Sequence, residues 1–193
     1  MLTSRIRFKN FNLKSKNTSI KKKLNFLLNE KNEIIKSLSK NYKNSFNPNI
    51  LSKYRKNKNF RLIGMGGSSL GTQAIYDFLK EKIKKNFIFV NNLLPNQKVN
   101  KKGRFTNIVV SKSGNTIETI ANVNILIKKK DKNIFITENK KNYLYLLAEK
   151  LKAEIIHHNN YIGGRYSVLS EVGMLPAELM GLNANNFRCF NLL

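Results

Sequence analysis

Three short runs in this chain carry side chains whose types and spacing suit work on a phosphate ester. In Ser111-Lys112-Ser113-Gly114-Asn115-Thr116, hydroxyls, an ammonium and a glycine sit between an apolar stretch, Ile108-Val109-Val110, and an amphipathic one, Thr116 to Lys129. A turn that leaves a strand and opens a helix presents unpaired backbone N–H groups at the positive end of the helix dipole, which attracts a dianion. The hydroxyls of Ser111, Ser113 and Thr116 can donate to phosphate oxygens, Lys112 adds a point charge, and Gly114 lets the backbone come close. Nothing in the turn calls for a purine or a nicotinamide; it suggests a phosphate handle on a small molecule. The same residues also form an N-cap cluster, with Ser113 or Asn115 capping and Glu118 in the first turn. Capping and ligand binding are compatible.

The second run, GMGGSSLG from Gly64 to Gly71, is another glycine-rich turn. It is neither of two well-known phosphate loops. A dinucleotide fingerprint needs glycine where Ser69 stands and an acid after the next strand, where Asn91-Asn92 stand. A P-loop needs Lys-Ser/Thr after its last glycine, but Thr72-Gln73 follow Gly71. What remains is a tight turn, with Gly66 and Gly67, that places Ser68 at a helix N-terminus; glycines needed only for close helix–sheet packing read equally well. In the third run, Gly163-Gly164-Arg165-Tyr166-Ser167, the two glycines allow unusual backbone angles that could aim Arg165 inward, as a permanent cation for a developing oxyanion. A lone arginine is more often a solvated surface residue.

The elements around these runs read as alternating strands and helices. Arg61–Ile63, Phe87–Val90, Ile108–Val110, Asn133–Thr137 and Glu154–His157 are predicted strands. Helices are predicted over Leu70–Lys84, Thr116–Lys129 (Ile117, Ile120, Ala121, Asn124 and Ile127 at helical spacing), Lys141–Leu151 and, after Ser167, through Leu182. Connections this short imply βαβ units, hence an α/β fold: a three-layer α/β/α sandwich on a parallel sheet of about five strands. Ligands of such sheets sit outside the carboxyl ends of the strands, so Ser68 and the Ser111–Thr116 turn could converge on one phosphate. Residues 1–57 read as a basic, Asn-rich helical leader, with one helix over Ile20–Leu38 and a short second from Pro48 to about Lys56. Residues 58–193 read as the binding domain.

Composition narrows the partners. The net charge of +25 invites a nucleic-acid reading. The lysines, however, accompany many asparagines and isoleucines, all with AT-rich codons, and they spread along predicted helix faces where solvated lysine is ordinary. No nucleic-acid partner is expected. No apolar run is long enough to cross a bilayer, and the N-terminus lacks the apolar core of a signal peptide. The single cysteine, Cys189, cannot form an internal disulfide, which suits a reducing cytoplasm.

Taken in order, GMGGSSLG, VVSKSGNTIET and IGGRYSVLSEVGMLP resemble the glucose-6-phosphate isomerase family, of the sugar isomerase (SIS) fold, from about Phe60 to Leu182. The first two runs occur loosely in other SIS proteins; GGRYS followed by an apolar helix points to this family. The resemblance implies that Ser68, Ser111, Ser113 and Thr116, with Lys112 in the same loop, hold a sugar phosphate, and that Arg165 stabilises an enediolate. It implies interconversion of glucose 6-phosphate and fructose 6-phosphate in glycolysis and gluconeogenesis, with no metal or organic cofactor and with a homodimer at full length. The family's glutamate base lies beyond the GGRYS helix, in an ESNGK-like segment absent here. His157 and His158 precede GGRYS, and Glu171 and Glu178 lie in the wrong motif to replace the base. The expectation is therefore an N-terminal part, with the first of two SIS domains. Two alternatives stay open: a non-catalytic SIS sugar-phosphate sensor, and another SIS phosphosugar isomerase.

Overall fold

The computed structural model describes residues 18–30, 32–93 and 104–188. Five strands form one parallel sheet: β1 (Asn59–Gly64), β2 (Asn86–Val90), β3 (Thr106–Val110), β4 (Lys132–Thr137) and β5 (Glu154–His157), in the order β2-β1-β3-β4-β5. Residues alternate between the two faces, as a period of two requires. Leu62, Ile108, Val110, Ile134 and Ile136 enter one core; Ile63, Val109 and Phe135 enter the other. Helices cover both faces, as the sequence implied. α3 (Pro48–Tyr54), α4 (Leu70–Phe78) and α7 (Glu171–Met180) pack on the first, α5 (Ile117–Leu126) and α6 (Tyr143–Lys150) on the second.

This order sets the place of the site. The chain moves from β1 to β2 in one direction, then returns past β1 to continue β3-β4-β5 in the other. Right-handed crossovers then put α4 and α5 on opposite faces, and the loops after β1 and β3 splay apart at the reversal. Gly64 pairs with Val110 across those two strands. The two serine-bearing turns therefore leave neighbouring strands at the switch point, where sheets of this order leave a crevice.

The helices depart from their predicted form in three places. Ile20–Leu38 is not one helix but two, α1 (Thr18–Asn29) and α2 (Glu33–Ser37). Asn32 is extended, and its side chain accepts the Ile34 N–H at 2.8 Å, so it begins a new helix instead of continuing the old one. α4 ends at the exposed Phe78, and the chain tightens to a 3-10 turn over Lys80–Lys82. α5 stops at Leu126 and buries Thr119, Asn122, Val123 and Leu126, leaving Ile117 and Ile125 exposed. Asn122 takes an inward position because its amide donates to the Asn92 carbonyl at 3.2 Å. The N-terminal segment does not stand apart: Tyr54 is buried in the first core, and Phe46, Ile50 and Leu51 pack against it. Cys189 and most of the polar stretch before β3 lie outside the described residues.

α7 is the most deeply set helix, with only Glu178 not fully buried. Pro176 within it has no N–H to give the carbonyl of Val172. Thr72 of α4 supplies the missing donor: its buried hydroxyl reaches the Val172 carbonyl at 3.3 Å. Two glycines allow the approach. A Cβ on Gly71 would meet the Val168 side chain at 2.8 Å, and one on Gly173 would meet the Val168 carbonyl oxygen at 2.1 Å.

Thr72→Val keeps the shape of the side chain but leaves a buried carbonyl without a donor, so it should cost about 1–3 kcal/mol of stability. Urea unfolding measures this, and an unchanged midpoint would show that the Val172 carbonyl needs no partner from α4.

Candidate functional site

The turn after β3 is built from its own hydroxyls. Ser111, buried, and Thr116, half-buried, hydrogen-bond to each other through their hydroxyls at 3.0 Å, closing the turn across its base. Ser111 N–H donates to Ile136 O, Gly114 N–H to Ser111 O, and Asn115 N–H to the Ser113 hydroxyl. Thr116 is the N-cap of α5, yet its side chain makes no capping bond. Neither Ser113 nor Asn115 caps this helix; the Asn115 side chain instead accepts the Tyr143 N–H of α6 at 3.1 Å. Among the described residues, the N–H groups of Ser113, Thr116, Ile117 and Glu118 have no protein partner. They form the open, positive end of α5.

The turn after β1 has the same character. Residues Gly66–Ser68 form a 3-10 turn, with Ser68 N–H on Met65 O and Ser69 N–H on Gly66 O. Gly66 is needed for its positive φ of 53°. Ser69 stands at the N-cap of α4 but spends its hydroxyl on the Gly66 carbonyl, again leaving the helix without a side-chain cap. The Ser68 hydroxyl is half-buried and has no protein partner among the described residues. By contrast, α2, α3 and α6 are each capped by an asparagine side chain, Asn32, Asn47 and Asn142, while α7, which starts behind the site, has no side-chain cap either.

The third run is joined directly to the first. Gly164–Leu169 is a 3-10 helix, and its first residue lies against Gly67 so closely that a Cβ on Gly67 would stand 2.2 Å from the Gly164 carbonyl oxygen. The Ser167 hydroxyl, buried beneath, donates to the Gly164 carbonyl at 2.7 Å and lies 3.4 Å from that of Gly67. The reason for the glycines differs from the sequence reading. Gly163 has an ordinary φ of −71° and Gly164 has no positive φ; close packing, not an unusual backbone angle, is what the pair provides. Nor does the structure turn Arg165 inward: the side chain is exposed, at the rim beside exposed Tyr166.

Lys112 and Gly114 also take roles that their types did not announce. Gly114 is buried with φ 67°, and a Cβ there would collide with the Asn142 side chain at 1.8 Å. It serves the docking of α6 onto the turn. Lys112 Nζ donates to the Asn160 carbonyl at 2.6 Å and lies 3.7 Å from Glu138, so its charge is tethered at one side of the turn.

Behind the site lies a buried polar group that residue spacing alone did not reveal. Glu171, fully buried, accepts the Asn159 N–H at 2.7 Å and the Tyr42 hydroxyl at 3.3 Å. Burial and the nearby carboxylate push the Tyr42 phenol up to about 12. His158, equally buried, has Nδ1 3.1 Å from the Asn159 carbonyl and 4.0 Å from Glu171, while its Nε2 has no partner among the described residues. Burial is the largest influence on the imidazole and holds its pKa below the ordinary value of 6.5. Asn142 was findable as the polar residue that precedes a helical pattern. Asn159 and Asn160 were not, since the groups that meet Glu171 and Lys112 are the Asn159 N–H and the Asn160 carbonyl.

Comparison with known proteins gives these features a family. The phosphoglucose isomerase model matches residues 39–190. Glucose-6-phosphate isomerase of Borreliella afzelii is 38% identical over 144 residues, covering 65% of this chain and 27% of that protein. The Methanocaldococcus jannaschii enzyme is 35% identical over 138 residues, covering 65% and 34%. The chain thus spans about a quarter to a third of the length of the curated relatives it matches. Among solved structures, a hypothetical protein of Thermus thermophilus aligns with TM-score 0.65 at 22% identity, covering 87% of this chain and 44% of that one. Tagatose-6-phosphate ketose/aldose isomerase of Escherichia coli aligns with TM-score 0.56 at 20% identity, covering 72% and 43%. These two likenesses concern the fold.

Two outcomes test the geometry. Gly67→Ala forces the first and third runs apart and should lower stability, with a reduced urea midpoint; a midpoint equal to that of the parent would mean that the contact yields without cost. His158 gives a signed pH dependence. With its pKa lowered in the folded state, the unfolded chain binds a proton that the folded chain refuses. The stability this imidazole contributes is therefore complete above the ordinary value and is lost as pH falls through the lowered one. Urea midpoints measured from pH 7.5 down to 5.5 should fall less steeply in His158→Gln than in the parent, and parallel curves would exclude the imidazole as the cause.

Proposed function

This chain belongs to the phosphoglucose isomerase family, and from that premise we propose that it holds the phosphate of glucose 6-phosphate or fructose 6-phosphate in the crevice between the β1 and β3 turns. The observation that carries the reading is the pair of uncapped helix N-termini, α4 and α5, each behind a serine-bearing turn at the sheet's switch point. A phosphate dianion there takes the N–H groups of Ser113, Thr116 and Ile117 and the hydroxyls of Ser68, Ser111, Ser113 and Thr116. Lys112, with one donor on the Asn160 carbonyl, has further donors to offer.

In the whole protein the reaction is an aldose–ketose interconversion: a carboxylate carries a proton between C1 and C2 through a cis-enediol, and Arg165 stabilises the enediolate. This chemistry needs no metal or organic cofactor. Two described carboxylates near the turns are already engaged. Glu138 lies near Lys112 and Lys140, at 3.7 and 3.4 Å, and Glu171 is buried behind the site with both oxygens engaged. This chain is accordingly the phosphate-holding part of the enzyme, with isomerisation and a homodimeric assembly belonging to the longer protein. A place in cytoplasmic sugar metabolism is part of the same reading. No described helix is long and apolar enough to cross a membrane.

Calorimetric titration tests the reading. Fructose 6-phosphate should bind and fructose should not, because the phosphate supplies the recognised charge. Removing hydrogen bonds to that charge in Ser111→Ala or Thr116→Val should weaken binding roughly tenfold or more, at about 1.5–3 kcal/mol for each charged hydrogen bond. Equal heats for the sugar and its phosphate would refute the site. The chain alone should show no appreciable conversion of fructose 6-phosphate; turnover abolished by Arg165→Ala would place a complete active site within it.

A further inference from the structure

The linker His158–Gly163, which joins β5 to the Gly164–Leu169 helix, is held from two sides. From the phosphate turn, Lys112 Nζ donates to the Asn160 carbonyl at 2.6 Å. From the opposite side, Glu171 at the start of α7 takes the N–H of the preceding residue, Asn159, at 2.7 Å. Between these two bonds the backbone is braced by two further hydrogen bonds. The Asn159 side chain accepts the Tyr161 N–H at 2.9 Å, and the Asn159 carbonyl accepts the Ile162 N–H at 3.2 Å, a side-chain-locked turn. Displacement of the Asn159 N–H therefore carries through to the carbonyl that holds Lys112.

The Glu171 end of this strut is itself braced by the N-terminal segment. Tyr42 donates to the second Glu171 oxygen at 3.3 Å, and Glu33 accepts the Asn159 amide at 3.1 Å. Arg188, also buried, donates to the Tyr42 carbonyl, the Asn44 side chain and the Leu169 carbonyl. A carboxylate taken wholly out of water is costly unless its oxygens are satisfied. Glu171 directs both oxygens to groups outside its own helix, although its first-turn position would suit a local capping bond.

We propose that Glu171 is a positioning residue for the phosphate turn, acting through the Asn159–Asn160 turn on the ammonium of Lys112. This rests on the phosphate reading of the Ser111–Thr116 turn. The electrostatic consequence is specific. Glu138 already lies 3.7 Å from the Lys112 ammonium. With the Asn160 carbonyl displaced, Lys112 relaxes toward that carboxylate, and its charge is neutralised beside the turn instead of being offered to a phosphate. Through Tyr42 and Glu33, the segment before β1 then influences affinity at the turn after β3.

Fructose 6-phosphate titrated into the full chain and its variants tests the strut. Glu171→Ala should weaken binding about fivefold or more, comparable to losing one well-placed charged hydrogen bond. Glu171→Gln, which keeps an oxygen in reach of the Asn159 N–H, should stay within about twofold of the parent. In a Lys112→Met background, Glu171→Ala should have no further effect, since both act along one path. Should the alanine variant fail to fold, Glu171→Asp, which withdraws the carboxylate by one methylene, should show the same loss and the same dependence on Lys112. Parental affinity in Glu171→Ala or Glu171→Asp overturns the inference. So does an equal loss with and without Lys112, which would mark Glu171 as a general stabiliser. No binding by the parent chain overturns the phosphate reading itself, which separates the two failures.

Discussion

The backbone of Gly67 meets that of Gly164 at a distance that leaves no room for a Cβ, and much of the structure is arranged to permit this approach. Gly67 rides on the turn after β1, and Gly164 opens the helical turn before α7. For the two to meet, α7 must lie flat on the sheet beside α4. That position demands Gly71 and Gly173 around Val168, and a donor from Thr72 for the carbonyl that Pro176 leaves open. Ser167, beneath the contact, donates to the Gly164 carbonyl. The joint thus transmits the register of the first core to the rim that carries Arg165. A steric constraint between two glycines, rather than any strong bond, ties the two runs together.

Electrostatics complete what packing begins. At +25 the chain has positive charge everywhere, so charge alone cannot mark a site. What the crevice offers is two helix dipoles opening behind neighbouring strands of one sheet. α2, α3 and α6 have their first N–H groups satisfied in part by asparagine, whereas α4 and α5 point uncapped ends outward behind turns of small hydroxyl residues. These donors are fixed by the sheet and need little reorganisation to receive an anion. Lys112 differs, being a flexible charge whose position depends on the carbonyl it is given.

The strands and the order of layers were legible because apolar β-branched runs alternate with helical periods over short connections. Each predicted strand lies within an observed one. Side-chain roles were less legible wherever they depend on partners distant in sequence. Gly114 was read as giving room to a ligand, but it makes room for Asn142, 28 residues on. The apolar periodicity of α5 pointed to Ile117 and Ile127, yet Asn122 is buried because the Asn92 carbonyl waits for it. Glu171 could be dismissed as a base from its motif, but its hold on Asn159 runs through a backbone N–H, and any residue type except proline supplies one. Patterns of residue type encode elements and turns; they do not encode which backbone groups a buried carboxylate will find.

On the proposed function, Ser111 and Arg165 would have different parts, one in holding a phosphate and the other in stabilising charge during proton transfer. Ser111 is buried at the sheet end and braced by Thr116, so the proposed phosphate grip would be set by the fold of these residues alone. Arg165 is exposed. Two charges 4 Å apart attract by roughly 1 kcal/mol in bulk water and by about 4 kcal/mol at the effective dielectric of a protein surface site. An enediolate beside a fully hydrated guanidinium would therefore gain little, while the same pair under a cover that excludes water would gain several times more. Converting this geometry into a catalyst consequently takes more than the addition of a base. On that reading it takes a surface laid over Arg165 and Tyr166, so that the charge at the rim would act in a dry environment on a substrate whose phosphate the turns would hold.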